Sequence, residues 1–245
     1  MSILYELLRD DYSFEEAKSL QYKFQKLIKT REENKISHFE SIKTIAGVDV
    51  SYYSRENVEY GVACAILWNI HQEKMETCSF AQEKINFPYK AGFLGFRECK
   101  VLASAILKLP KTPEIILCDG HGIIHPRKFG EAVHLGFALN ISSIGIAKNP
   151  YFGYSDWQGI KKIKGSKSKV WTKDPKNIQK KSSNEFLGYA ICLNNGSKPV
   201  FISEGYKISL DFALKICLAT TKNHRQPEPL YLADHLSREE LNNYI

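Results

Sequence analysis

Residues 115–136 read IILCDGHGIIHPRKFGEAVHLG, and the fold is decided by how this stretch divides. Ile115 to Cys118 form a short apolar run of the kind that fills a buried strand, and it stops on an acid, Asp119, followed by Gly120 and Gly122. A strand therefore delivers a carboxylate to a sheet edge. His121, His125, Pro126 and Arg127 crowd the turn that follows, and its glycines let another molecule approach the backbone. GEAVHLGFAL then reads as a helix. A lone Asp at a strand end ordinarily serves as a cap or turn residue, and a hard cation needs several oxygen ligands. The remaining acids have to come from other elements.

Working upstream, the period changes at Thr44. TIAGVDVSYY, VEYGVACAILWN and EKMETCSFAQEKI are β-rich segments with short polar turns, as expected for three strands of an antiparallel meander. The first carries Asp49 between Val48 and Val50, where an unpaired carboxylate is costly to bury; a wet strand face is the alternative. After the loop NFPYKAGF, Leu94, Glu98, Val101, Leu102 and Ala105 recur at helical spacing, which puts Glu98 on the packed face. An ion pair with Arg97 or Lys100 is the ordinary alternative.

Downstream, SSIGIAK reads as a strand ending at Lys148, a residue able to contact phosphate or orient water beside a carboxylate group. Residues 158–182 hold nine lysines around Trp171 and read as a basic insertion able to follow a phosphate backbone, or as a solvated hairpin. EFLGYAICLN and KPVFISEGY form a strand pair, SLDFALKICLATT an amphipathic helix, and the segment after RQPEP a last helix bearing Asp234. At the other end, Ser13 to Glu16 is a capping box that opens a helix over about 13–36.

The 245 residues are 43% hydrophobic with a net charge of +7. One well-cored domain is expected, with an anionic partner. No apolar run nears a membrane span and no signal-peptide pattern opens the chain, so an intracellular, cytoplasmic (or nuclear) protein is expected. Six scattered cysteines without a CxxC pair read as reduced core residues.

GVDVSYY, PYKAGFLGFRE, DGHGIIHPRKFGEAVHLG, IGIAK, KPVFISEGYKISL and RQPEPLYLAD, in that order from about residue 46 to 234, resemble the endonuclease V family, with DGxGxxHPRxxG the most specific element. The order of three strands, helix, strand, helix and strand is that of the ribonuclease H-like fold, an α/β mixed sheet flanked by helices. The resemblance implies a Mg²⁺-dependent nick (Mn²⁺ substituting) at the second phosphodiester 3′ to deoxyinosine or inosine, through a flipped base, by a monomer acting on DNA or RNA that contains hypoxanthine. It assigns Asp49, Glu98 and Asp119 to the metal, with Asp234 as a fourth acid. His125 and Lys148 match catalytic-site positions, Tyr89 a strand-separating wedge, and Leu94, Gly120, Gly122 and Gly130 the pocket region.

The chain departs from the family at Pro88-Tyr89-Lys90-Ala91, where PYIP is usual, at Ser203-Glu204-Gly205-Tyr206, and at Tyr151. Lys90 implies a more flexible wedge with an added phosphate contact, which keeps an inosine-specific endoribonuclease in view. A non-cleaving inosine reader is a second alternative. A zinc hydrolase built on His121, His125 and His134 lacks the Glu of HExxH, and glycine and proline disfavour one helix presenting the imidazoles.

Overall fold

The computed structural model describes residues 3–30, 39–177 and 184–245. Its centre is a mixed sheet of strands β1 (Thr44–Arg55), β2 (Val58–Asn69), β3 (Lys74–Lys84), β4 (Ile115–Cys118), β5 (Ser142–Ala147), β6 (Lys167–Trp171), β7 (Phe186–Ile191) and β8 (Val200–Glu204). They lie in the order β3-β2-β1-β4-β5-β8-β7-β6. The predicted meander pairs antiparallel, whereas β4 runs parallel to both β1 and β5. Helices α1 (Phe14–Thr30), α2 (Leu94–Leu107), α3 (Glu131–Leu139), α4 (Leu210–Thr220) and α5 (Glu228–Glu240) surround the sheet.

The central strands are buried on both faces, and side-chain alternation sorts their residues between two cores. Ala46, Val48, Ile116 and Cys118 pack with Val101, Leu102 and Ile106 of α2 and Leu135 of α3. Ile45, Ile115 and Leu117 pack on the opposite face with Phe212 and Ile216 of α4 and Leu230 of α5. The same alternation aims Asp49 at the α5 face and Tyr52 at the α2 face. Gly47 is what lets α5 come close. A Cβ there would stand 2.2 Å from the carbonyl carbon of Pro229, so a side chain would push the helix off the strand.

The capping box forms as read: Glu16 N donates to Ser13 Oγ at 3.3 Å, and Ser13 N donates to Glu16 Oε2 at 2.8 Å. The part of the expected helix beyond residue 30 lies outside the described residues. A short helical turn, Tyr5–Leu8, precedes α1, and its Leu7 is fully buried. All six cysteines are free, and all but Cys78 are buried.

Within the lysine-rich segment, the described residues include edge strand β6, antiparallel to β7. Val170 of β6 is buried against Leu187 and Phe201, so this stretch is part of the sheet rather than a purely solvated appendage. Residues 178–182 of the segment lie outside the described residues. Among the described residues, no helix is long and apolar enough to cross a membrane.

Candidate active site

Parallel pairing sets Val48 beside Cys118, so the next residue on each chain, Asp49 and Asp119, emerges at the same edge of the sheet. Lys148 follows the last residue of the neighbouring β5. Its Nζ lies 2.5 Å from Asp119 Oδ2 and 3.4 Å from Oδ2 of Asp234, on α5. Arg238, one turn further along α5, pairs with Asp234 at 2.6 Å. Three elements thus bring Asp119, Lys148 and Asp234 into contact. Asp49 is close enough to feel the charge: its pKa rises to about 8, through burial first and then through Asp119 and Asp234. Burial works against the Lys148 ammonium, but Asp119 and Asp234 outweigh it and hold the pKa above the ordinary lysine value.

Glu98 reaches the site from α2 without either expected ion pair. Arg97 turns away to Glu59 at 2.5 Å and to the Phe87 carbonyl at 2.9 Å, while Lys100 pairs with Asp10 at 3.3 Å. Glu98 instead accepts a hydrogen bond from the Tyr52 hydroxyl and lies against the carboxyl of Glu131. Burial pushes the Glu98 carboxyl up despite those contacts, and raises Glu131 well above the carboxylate range, with Glu98 adding to the effect. Two touching carboxyls need a proton between them. Sequence reading missed Tyr52 and Glu131, because an aromatic in a strand and an acid in a helix's first turn are both ordinary there.

Beside these acids opens a cleft of about 390 Å³. Tyr89, Leu94, Asp119, Gly120, His125, Gly130 and Lys148 all line it, together with Glu131, His121 and Tyr151. Gly122 is not in the lining; its N–H donates to Ser203 Oγ at 3.0 Å, and Ile123 N donates to the Glu204 carbonyl at 2.9 Å. The family departure at 203–206 therefore supports the turn that carries Asp119. Tyr89 is 74% exposed at the rim. Lys90 is exposed beside it, with its Nζ 4.1 Å from the ring centre of Phe14, which engages the ammonium on the protein itself.

His125 is an organiser of this cleft. Its Nδ1 accepts the Arg127 N–H at 3.2 Å, leaving Nε2–H to donate to the Gly92 carbonyl at 3.0 Å. Arg127 Nη2 and Gln21 Nε2 donate to that same carbonyl at 2.8 and 2.9 Å. Burial, reinforced by the Arg127 guanidinium, pushes the His125 pKa down to about 3, so the ring is neutral. His121 donates to the Asn149 carbonyl at 3.0 Å and His134 to that of Leu7 at 2.6 Å. The three imidazoles serve three different backbone carbonyls and do not converge, as the zinc alternative would require.

Among the described residues, no three His, Cys, Asp or Glu side chains stand as a ready-made metal cage. The donor set still suits a hard divalent cation: Asp49, Glu98, Asp119 and Asp234 are all carboxyls. The rise in Asp49 comes from burial first and then from the neighbouring Asp119 and Asp234, a crowding that such a cation would relieve.

A family model described as Endonuclease V matches residues 23–235. A curated Endonuclease V of Dictyoglomus turgidum is 36% identical over 207 residues, covering 84% of each chain. The crystal structure of Endonuclease V from Bacillus subtilis superposes with a TM-score of 0.83 at 28% identity, covering 100% of this chain and 98% of the other. That of the Ciona intestinalis protein, in complex with a 24mer DNA containing an inosine followed by a ribo-adenosine, gives 0.76 at 30% identity, covering 94% and 98%.

Proposed function

Because this chain belongs to the endonuclease V family and carries its ribonuclease H-like fold, we propose that it cuts nucleic acid containing hypoxanthine, at the second phosphodiester 3′ to deoxyinosine or inosine. The observation that carries this reading is one juxtaposition: Lys148 joins Asp119 and Asp234, with Asp49 near enough to feel their charge, at a cleft whose lining also includes exposed Tyr89.

Each part of that site has a physical task. A flipped base enters the cleft at an unstacking cost of roughly a few kcal/mol, lowest where the base is mispaired. Tyr89 takes the place of the displaced base. Asp49, Glu98 and Asp119, with Asp234 alongside, would hold Mg²⁺, or Mn²⁺ as substitute, which would supply the Lewis acidity to activate water and offset charge at phosphorus. Lys148 stays charged and holds a phosphate oxygen against Asp119. His125 is neutral and fixes the loop at Gly92, so its contribution is to position the pocket. Tyr52 and Glu131 hold the Glu98 carboxyl in place.

DNA repair is the first use of such an activity. Turnover of inosine-containing RNA is the second, favoured by the Ciona complex, in which a ribonucleotide follows the inosine. The test is cleavage in Mg²⁺ of end-labelled single-stranded RNA, single-stranded DNA and duplex DNA, each carrying one inosine or deoxyinosine, beside an Asp119→Ala control. A nick one nucleotide beyond the lesion, absent in the control, is expected, and the ranking of the three substrates decides between the two uses. Binding without a cut in either cation would replace this reading with that of an inosine-binding protein.

A further inference from the structure

Glu131 opens α3, where an acid is favoured by the helix dipole, but its surroundings are not those of a surface residue. It is 4% exposed, it makes no ion pair among the described residues, and it lines the cleft. Its Oε2 receives no N–H or O–H from the described residues, although buried acceptors nearly always find a donor. The carboxyl is seated by Gly120, whose Cβ would lie 1.9 Å from Oε2, and by its contact with Glu98.

The residue after Gly120 adds a second acceptor. His121 uses Nε2–H on the Asn149 carbonyl, which leaves Nδ1 bare, and Nδ1 is buried with no donor among the described residues. Around Gly120 the wall of the cleft thus carries two buried acceptor atoms, Glu131 Oε2 and His121 Nδ1, that no donor among the described residues satisfies. The ligand it suits brings an N–H of its own.

We infer that Glu131 is a specificity-determining residue, its carboxyl accepting the ring N1–H of hypoxanthine. The inference rests on reading the cleft as the flipped-base pocket. Hypoxanthine carries a proton at N1, whereas adenine has a bare nitrogen there and would set lone pair against lone pair. A site built to hydrogen-bond one substrate group rejects the analogue lacking it far more strongly than an apolar pocket can.

The test uses the full chain in EDTA, so that nothing is cut, and three strands identical except for one inosine, N1-methylinosine or adenosine. The wild type is expected to bind inosine at least about tenfold tighter than the other two. Glu131→Leu is expected to remove most of that preference while affinity for the adenosine strand moves little. Gly120→Ala, which displaces the carboxyl, is expected to do the same, and Glu131→Gln, which keeps a carbonyl oxygen, to retain part of it. A folded Glu131→Leu protein with the wild-type preference would overturn the inference. So would unchanged preference with weakened Mn²⁺ binding by electron paramagnetic resonance, which would give Glu131 to the cation instead. A wild type with no preference for inosine would remove the pocket reading itself, and this inference with it.

Discussion

At the scale of single residues, Lys148 sets the charge balance of the site. It spans Asp119 at 2.5 Å and Asp234 at 3.4 Å with a side chain 33% exposed. Lys148→Met leaves two neighbouring carboxylates without that cation, and removes the ammonium that would meet a phosphate. Cleavage under single-turnover conditions is expected to fall by about 10²–10³, the usual cost of one preorganised electrostatic group, while a Mg²⁺ titration shows undiminished affinity. A rate within a few-fold of wild type would mean that Lys148 is a structural tie. Asp49, Glu98 and Asp119 drew attention in the sequence because one acid sits inside an apolar strand, one falls on the packed face of a helix and one ends an apolar strand, and burial of a carboxylate without a purpose is costly. Glu131 was not legible: its position in the first turn of a helix supplies a bland explanation, and the contact with Glu98 exists only after α2 and α3 pack. His125 was legible as a site residue, but its role was not, since neutrality comes from burial and from Arg127.

At the scale of elements, α3 ties the N-terminal turn to the wall of the cleft. His134 is fully buried against Phe96 and Phe129, with ring centres 4.6 and 5.3 Å away, and holds the Leu7 carbonyl. Burial lowers its pKa to about 4, so the folded ring stays neutral where the unfolded one, titrating near 6.5, takes up a proton. Stability from this ring is therefore complete above about pH 6.5 and is lost as pH falls towards 4, by about 2 kcal/mol at pH 5. Burial gives His121, at about 4, the same sign. In urea unfolding between pH 4.5 and 7.5, His134→Gln should be less stable at neutral pH and have a shallower acid slope, by up to one proton. Parallel slopes would mean that His134 titrates normally in the fold. The sequence showed α3 plainly through its apolar period and Ser13 to Glu16 through its capping box. It did not show the turn Tyr5–Leu8, which is held by α2 and α3 rather than by local propensity. Strand β6 was hidden as well, because lysines at 167 and 169 mask the alternation that buries Val170.

At the scale of the whole molecule, the +7 charge becomes useful through where it lies. A second cleft adjoins the first across Lys148, Asn149 and Pro150, and is lined by Lys162, Lys198, Arg225 and Trp157. Arg225 donates to the carbonyls of Lys148 and Pro199, so it braces the strand ends between the two clefts. A nucleic acid with one base in the first cleft has a basic path for its backbone along the second. Deleting the lysine-rich segment would not test this cleanly, since β6 covers part of the core. Charge removal does. Lys162 and Lys198 are changed to Gln together, and binding to an inosine strand is measured from 50 to 200 mM salt. Each lost phosphate contact should flatten the slope of log affinity against log salt by about 0.7 on a single strand and 0.9 on a duplex. The double variant should therefore lose about 1.4 to 1.8 units of slope, yet cut at an undiminished rate at saturating substrate, because neither lysine touches Asp49, Glu98 or Asp119. An unchanged slope would place the backbone path elsewhere on the surface. A lost maximal rate would mean that the second cleft shapes the first, through Lys148, instead of merely extending its reach.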